Sequence, residues 1–377
     1  MGMQLKKVFF MMIIVIINSC VGNHSDMRVI DMERIDGVSQ QQEFSTTDVF
    51  EKITFVPLET TDAGLLRDVS DLRETAQYLF ITSDNGLYQF DVHGKFIRKI
   101  GQIGQGPGDY AGITAFDIDE SQQTLFIHDY MQQKIIKYSF DGAFIESYRI
   151  PVFVDGMTYM RLAKQGELLY LNNTNSFRPD VFILNDSKKE LVTIAEKERP
   201  IVAGEGQRDG NKVTYVFRNS IYFKHAFNDT VFKYDESKIS PAYLLKASQY
   251  YYSFADLDFN NSRVTSGRKI TMRSIIEFDS GLFVFYEITN YDIATRADRT
   301  KYYLLYHNHH AGVTTINAVF KHNETDLASF DGQSLFFAGK GNNIYSVIDA
   351  LEIVTHPNPP VSVNEDDNPV LIRYTLK

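Results

Sequence analysis

The chain has 377 residues, a formal net charge of −10, one cysteine and no tryptophan. An acidic balance argues against nucleic acid as a partner, and a single thiol cannot staple a fold with internal disulfides, so stability must come from apolar packing. With 28 Phe and 22 Tyr the chain has material for a large core, and packing between structural units is a better use of these rings than a carbohydrate-stacking platform.

At the N-terminus, Lys6-Lys7 precede an apolar run from Val8 to Ile17, which predicts a secretory signal too short to span a bilayer. The run ends in Ile17-Asn18-Ser19-Cys20, which resembles a lipobox. Residues 1–19 are therefore expected to be cleaved, leaving Cys20 as a lipid-bearing first residue and membrane lipid as a partner. The signal carries two lysines and no acids, so its removal makes the chain more acidic. Residues 20–27 read as the lipidated cysteine and a small, polar tether, and residues 28–377 as one domain. A diacylglycerol plus an amide-linked chain anchors firmly, which predicts a cell-envelope location at the outer membrane, facing the periplasm or the surface.

From Ile53 to Leu58 the sequence alternates and meets Pro57, the signature of an edge strand. Six triplets of aliphatic, aromatic and apolar residues then recur at blade-like spacing: Leu79-Phe80-Ile81, Leu125-Phe126-Ile127, Leu169-Tyr170-Leu171, Ile221-Tyr222-Phe223, Leu282-Phe283-Val284 and Leu335-Phe336-Phe337. Asp91-x-x-Gly94 and Asp141-Gly142 between apolar alternations are hairpin turns. Asn368 to Tyr374 is a last strong strand. These features predict an all-β, six-bladed β-propeller of four-stranded antiparallel blades, closed by pairing of the N- and C-terminal strands, with insertions in blades four to six.

Gly101-x-x-Gly104-x-Gly106-Pro107-Gly108-Asp109-Tyr110, Phe116-Asp117-Ile118-Asp119, Leu125 to Asp129 and Phe140 to Phe144 together look like one NHL-type repeat. With Val56-Pro57-Leu58-Glu59-Thr60-Thr61 and Asn368-Pro369-Val370-Leu371, the chain resembles the six-bladed β-propeller lipoproteins of Bacteroidetes. That resemblance implies an anchored envelope protein with no reaction assigned, and no catalytic residue is carried over from it.

Several motifs admit chemical readings that simpler ones displace. The Gly101 to Gly108 stretch lacks the Gly-Lys-Ser/Thr of a P-loop and reads as a crossover between blades. His307-Asn308-His309-His310 has no carboxylate or Cys nearby in sequence and reads as a solvated turn, and Glu365-Asp366-Asp367 as a solvated loop. Asp229-Thr230-Val231 resembles an O-glycosylation acceptor and equally fits a strand-initiating turn. One position recurs at the strand end after the triplets. His128 and Asp129, followed by Tyr130, Asn172 and His225, are the candidates for a ligand site at the channel, against the alternative that such residues cap turns. No metal site, cofactor or catalytic residue is assigned.

Two functions remain open. One is a non-enzymatic binding or interaction module for a glycan, peptide or envelope protein, with a purely structural subunit as a variant. The other is a metal-dependent, lactonase-like hydrolase or lyase using the channel.

Overall fold

The computed structural model describes residues 27–32, 42–84, 86–151, 154, 159–163, 166–171, 181–195, 213–225, 229–235, 237–247, 257–258, 263–264, 267–292, 297–322, 325–332 and 336–377. Among the described residues, six antiparallel four-stranded units form the blades, one of them extended by a fifth, parallel strand. Blade 1 comprises Asp71–Glu74, Tyr78–Ser83, Gly86–Asp91 and Phe96–Ile100, and blade 2 Ile113–Asp119, Thr124–Asp129, Lys134–Ser139 and Phe144–Arg149. Blade 3 comprises Tyr159–Leu162, Glu167–Leu171, Val181–Asn185 and Glu190–Ala195, and blade 4 Val213–Phe217, Ser220–Lys224, Thr230–Asp235 and Lys238–Lys246. Blade 5 has the longest strands, Gly267–Glu277, Gly281–Asp292 and Ala297–Asn308, followed by Val313–Ile316. Blade 6 is built from both ends of the chain: Phe336–Ala338, Asn343–Ile348 and Val370–Leu376 pair outward to Phe50–Pro57.

The first strand of each blade lies beside the first strand of the next, and the first strand of blade 6 returns to that of blade 1. The sheets therefore form a six-bladed propeller, with the first strands lining the centre. The predicted fold and its closure are both present.

Among the described residues, six apolar clusters hold the ring, one at each blade-to-blade contact. The side-chain period of two explains how a triplet serves two clusters at once. Leu125 and Ile127 pack toward blade 1 with Phe80 and Phe116, while Phe126 packs toward blade 3 with Met160 and Tyr170. Blades 1, 4 and 5 repeat this arrangement. Blade 3 does not: Leu168 and Tyr170 face blade 2 and Leu169 faces blade 4, so its working triplet is one residue earlier than the sequence pattern placed it. Blade 6 differs as well. Phe336 and Phe337 lie on its first strand, and the second-strand equivalents are Ile344 and Tyr345, followed by Ser346, which breaks the all-apolar rule.

Aromatic rings concentrate between blades 5 and 6. Phe330 lies 4.3 Å from Phe336, 5.0 Å from Phe50 and 5.1 Å from Tyr374, ring centroid to centroid, in the tilted and edge-on geometries such pairs prefer.

The closing strand is preceded by two further attachments that sequence patterning did not reveal. Arg28–Asp31 pairs in parallel with Tyr243 to Lys246, adding a fifth strand to blade 4. Gln42–Ser45 then pairs in parallel with Ala318–Lys321, just after blade 5. Ser45 and Asp48 form a capping box on the short helix Thr46–Val49, which turns the chain into Phe50–Pro57. The N-terminal segment is thus attached along blades 4, 5 and 6 in succession.

Candidate functional site

Asp129 ends the second strand of blade 2, and its carboxylate is fully committed. Oδ2 accepts from the Ala111 amide at 2.7 Å and from Gln132 Nε2 at 2.9 Å, and Oδ1 from the amides of Met131 at 3.0 Å and Gln132 at 3.1 Å. This is a turn cap of the Asx kind, extended to the start of the blade's first strand. The neighbouring crossover, residues 101–112, is fastened to the same turn. Gln132 Nε2 donates to Gly104 O at 3.0 Å, and Lys134 Nζ to Gly106 O at 3.1 Å. Burial lowers the pKa of that lysine. A Cβ at Gly112 would stand 2.9 Å from the Tyr130 ring and 3.0 Å from Met131, so both side chains pack against bare backbone there. The turn holds Tyr130 and Met131 outward at 37% and 61% exposure, and Ile103 on the crossover is 60% exposed.

His128 has the opposite environment. It is fully buried, its ring sits edge-on to Tyr170 of blade 3 at 5.6 Å, and neither ring nitrogen has a hydrogen-bond partner. Burial pulls its pKa down to about 3 and pushes the Tyr170 phenol well up, so both stay neutral at ordinary pH. His225, in blade 4, is half-buried and packs edge-on to Phe223 at 5.7 Å and Phe232 at 6.1 Å. Its carbonyl accepts from buried Lys224 Nζ at 3.0 Å, and burial draws that amine down to about 7. Asn172 and Cys20 lie outside the described residues. The structure therefore brings Asp129 and Tyr130 together in one turn, packs His128 between blades 2 and 3, and keeps His225 in a different blade.

The channel wall carries a second polar feature, which sequence reading missed. A first strand has a partner on one side only, so the backbone groups along its inner edge need other partners. Charged side chains from neighbouring first strands supply several of them. Arg73 of blade 1 donates to Phe116 O of blade 2 at 3.3 Å, and Asp117 of blade 2 accepts from the Leu162 amide of blade 3 at 2.7 Å. Arg161 of blade 3 donates to Thr214 O of blade 4 at 3.4 Å. Arg73 also pairs with Asp71 at 2.6 Å and Asp117 at 3.0 Å. Burial works against its charge, but the two carboxylates outweigh burial and raise its pKa. Glu74 continues the series back to blade 6, accepting from the Lys340 amide at 2.7 Å and Tyr345 OH at 2.7 Å. Nothing in the sequence marks Arg73, Asp117 and Arg161 as lying on inner strands.

The histidine-rich turn is not solvated as expected. It is the hairpin tip after Ala297–Asn308, but the His307 side chain is buried, and that of His309 is only 11% exposed. His309 Nε2 lies 3.2 Å from the buried Glu277 carboxylate, which also accepts from Tyr215 OH at 2.9 Å and from Tyr243 OH. Arg28 of the added N-terminal strand donates to His309 Nδ1 at 2.6 Å. Burial, then the neighbouring His309 and Arg28, lower the pKa of His307. The N-terminal segment roofs this turn, which explains its burial. Only His310 remains exposed.

Among the described residues no three His, Cys, Asp or Glu side chains are grouped so as to hold a metal ion, and no helix is long and apolar enough to cross a membrane.

The ring, its two-ended closing blade and its polar first strands define the chain as a closed six-bladed β-propeller. It belongs to the family described as a domain of unknown function, DUF4934, whose model matches residues 27–375. It is similar in fold to a Bacteroides fragilis protein named as exported, at 19% identity and a TM-score of 0.67, covering 93% of this chain and 99% of that one. A member of the DUF4221 family from Bacteroides vulgatus is similar at 13% identity and a TM-score of 0.54, over 87% of this chain and 97% of that one. A search of curated proteins finds no match.

Proposed function

We propose that this chain is an exported, lipid-anchored envelope protein, tethered through Cys20 at the outer membrane, whose propeller is a non-enzymatic binding module for a glycan, peptide or protein partner. One observation carries this reading. The Asp129 network fixes a turn whose only outward groups are Tyr130 and Met131, beside exposed Ile103 on the pinned crossover. Large apolar and aromatic side chains held rigidly in solvent lose little entropy on binding and are the usual anchors of a recognition surface. Asp129 then acts as a positioning residue for Tyr130, and the name given to the Bacteroides fragilis relative supports export.

Two outcomes test the proposal. Cys20→Ala should move the protein from the membrane fraction to the soluble fraction and abolish labelling by a radioactive fatty acid; retention of the label would refute the anchor. Tyr130→Ala should weaken capture of a copurifying partner by about tenfold or more, on the order of 1.4 kcal/mol, with the unfolding midpoint unchanged. Equal capture by the variant would remove the turn from the binding surface.

A further inference from the structure

The carboxylates beside the first strands of blades 1 to 3 are unevenly shared between the two arginines there. Asp71 and Asp117 both bind Arg73, and the second oxygen of Asp117 is taken by the Leu162 amide. Arg161, one residue before Leu162, receives neither carboxylate. Its guanidinium donates to its own strand at Met160 O, 3.2 Å, and to Thr214 O at the long distance of 3.4 Å. A guanidinium has five N–H donors in a planar fork, so most of this one is uncommitted. The side chain is half-buried on the innermost strand of blade 3, where much of its hydration is lost. Burial and then the like charge of Arg73 act against its charge more than Asp71 and Asp117 support it. On the two flanking first strands, Thr114 and Thr214 carry buried hydroxyls with no hydrogen-bond partner.

We propose that Arg161 is the receptor for a ligand carboxylate in the central channel, paired through its free fork. This rests on the binding role proposed above and adds the chemistry of what is bound. One guanidinium supplies one positive charge and a two-donor edge, which match a carboxylate. A phosphate dianion would set its second charge against Asp71 and Asp117, so the geometry selects a monocarboxylate.

The test is calorimetric titration of the full chain in detergent with acetate, N-acetylglycine and D-glucuronate, each compared with its neutral amide, and with inorganic sulfate. At least one carboxylate should bind saturably, its amide at least about tenfold more weakly, and sulfate no better than the carboxylate. Arg161→Gln should lose about tenfold or more in affinity, while Arg161→Lys, which keeps the charge but not the fork, should retain part of it. If the Gln variant fails to fold, Arg161→Lys and the acid-to-amide ratio in the unsubstituted protein still decide the matter. Absence of binding by every carboxylate, equal binding of acid and amide, or unchanged affinity in the variants overturns the assignment. A partner captured through Tyr130 with no carboxylate binding would remove this proposal alone, whereas loss of both would remove the binding role itself.

Discussion

Asn368→Ala should cost about 3 kcal/mol in unfolding free energy, because it leaves two buried backbone groups and one partly buried one without partners. Asn368 is 1% exposed and stands at the entrance to the last strand. Its Oδ1 accepts from the Leu66 amide at 2.7 Å, and its Nδ2 donates to Gly64 O at 2.7 Å and Glu59 O at 2.9 Å. Its own amide donates to Thr60 Oγ1 at 2.8 Å. All four contacts join the C-terminal end of the chain to the segment leaving the closing strand Phe50–Pro57, so this one amide fastens the ring where the two ends meet. Each group left unpaired on truncation costs roughly 1 to 3 kcal/mol, and partial access of water lowers the sum. Asn368→Asp keeps the acceptor, loses both donors and buries a charge beside two carbonyls, so it should be at least as harmful. Denaturant unfolding of the full chain in detergent measures both. A loss under about 1 kcal/mol for Asn368→Ala would show that the strand pairing alone carries closure.

The second large effect is a pH dependence of stability set by His128. In the folded state its pKa is about 3, and in the unfolded chain it returns to the ordinary histidine value near 6.5. Between these values the unfolded state binds the proton and the folded state does not. The group therefore leaves stability untouched above about pH 6.5 and subtracts from it as pH falls, by about 1.4 kcal/mol per unit, down to the folded pKa. At about pH 5 the penalty amounts to roughly 2 kcal/mol. His128→Phe keeps the edge-on contact with Tyr170 and removes two nitrogens that have no partner. It should be neutral or stabilising by about 1 kcal/mol at neutral pH, with an advantage over the unsubstituted protein that widens on acidification. Parallel stability curves for the two proteins between about pH 7 and pH 4 would contradict the enclosure of His128.

These two residues also show where sequence reading succeeds and where it stops. The Asn368-Pro369-Val370-Leu371 ending and the Val56 to Thr61 segment could be recognised as a pattern, the blade-like spacing of the triplets predicted the ring, and the strand patterns at its two ends predicted its closure. Why the pattern needs Asn at 368 could not be read, because its partners lie some three hundred residues away. The triplets located five second strands and misframed one of them. A one-residue slip inverts every side chain, and the run Leu168-Leu169-Tyr170-Leu171 is apolar in either frame. The sixth triplet fell on a first strand, since Ser346 breaks the rule in the true counterpart. The attachments at Arg28–Asp31 and Gln42–Ser45 are four-residue parallel strands, which have no turn to announce them and acquire meaning only from the distant strand they join. The same long-range roof turned a hairpin tip expected to be wet into a buried network around Glu277 and His309.

At the candidate site, residue type was legible and burial was not. Asp129 and Tyr130 share one turn, with the carboxylate spent on backbone amides and the ring in solvent. His128, the adjacent residue, points to the other face of the strand and into the contact between blades 2 and 3. Arg161 was passed over because an arginine among apolar neighbours looks the same on an inner strand as on an outer one.

The most direct test of the Tyr130 turn as a binding surface is photocrosslinking in the intact envelope, with a photoreactive amino acid placed at Tyr130 and, for comparison, at Val192 on the outermost strand of blade 3, which is 57% exposed. If the Tyr130 turn is the surface that meets the partner, a discrete adduct forms from position 130 and none from position 192. An adduct from position 192 with none from position 130 would contradict it, and would make the outer face of the ring the surface that meets a partner.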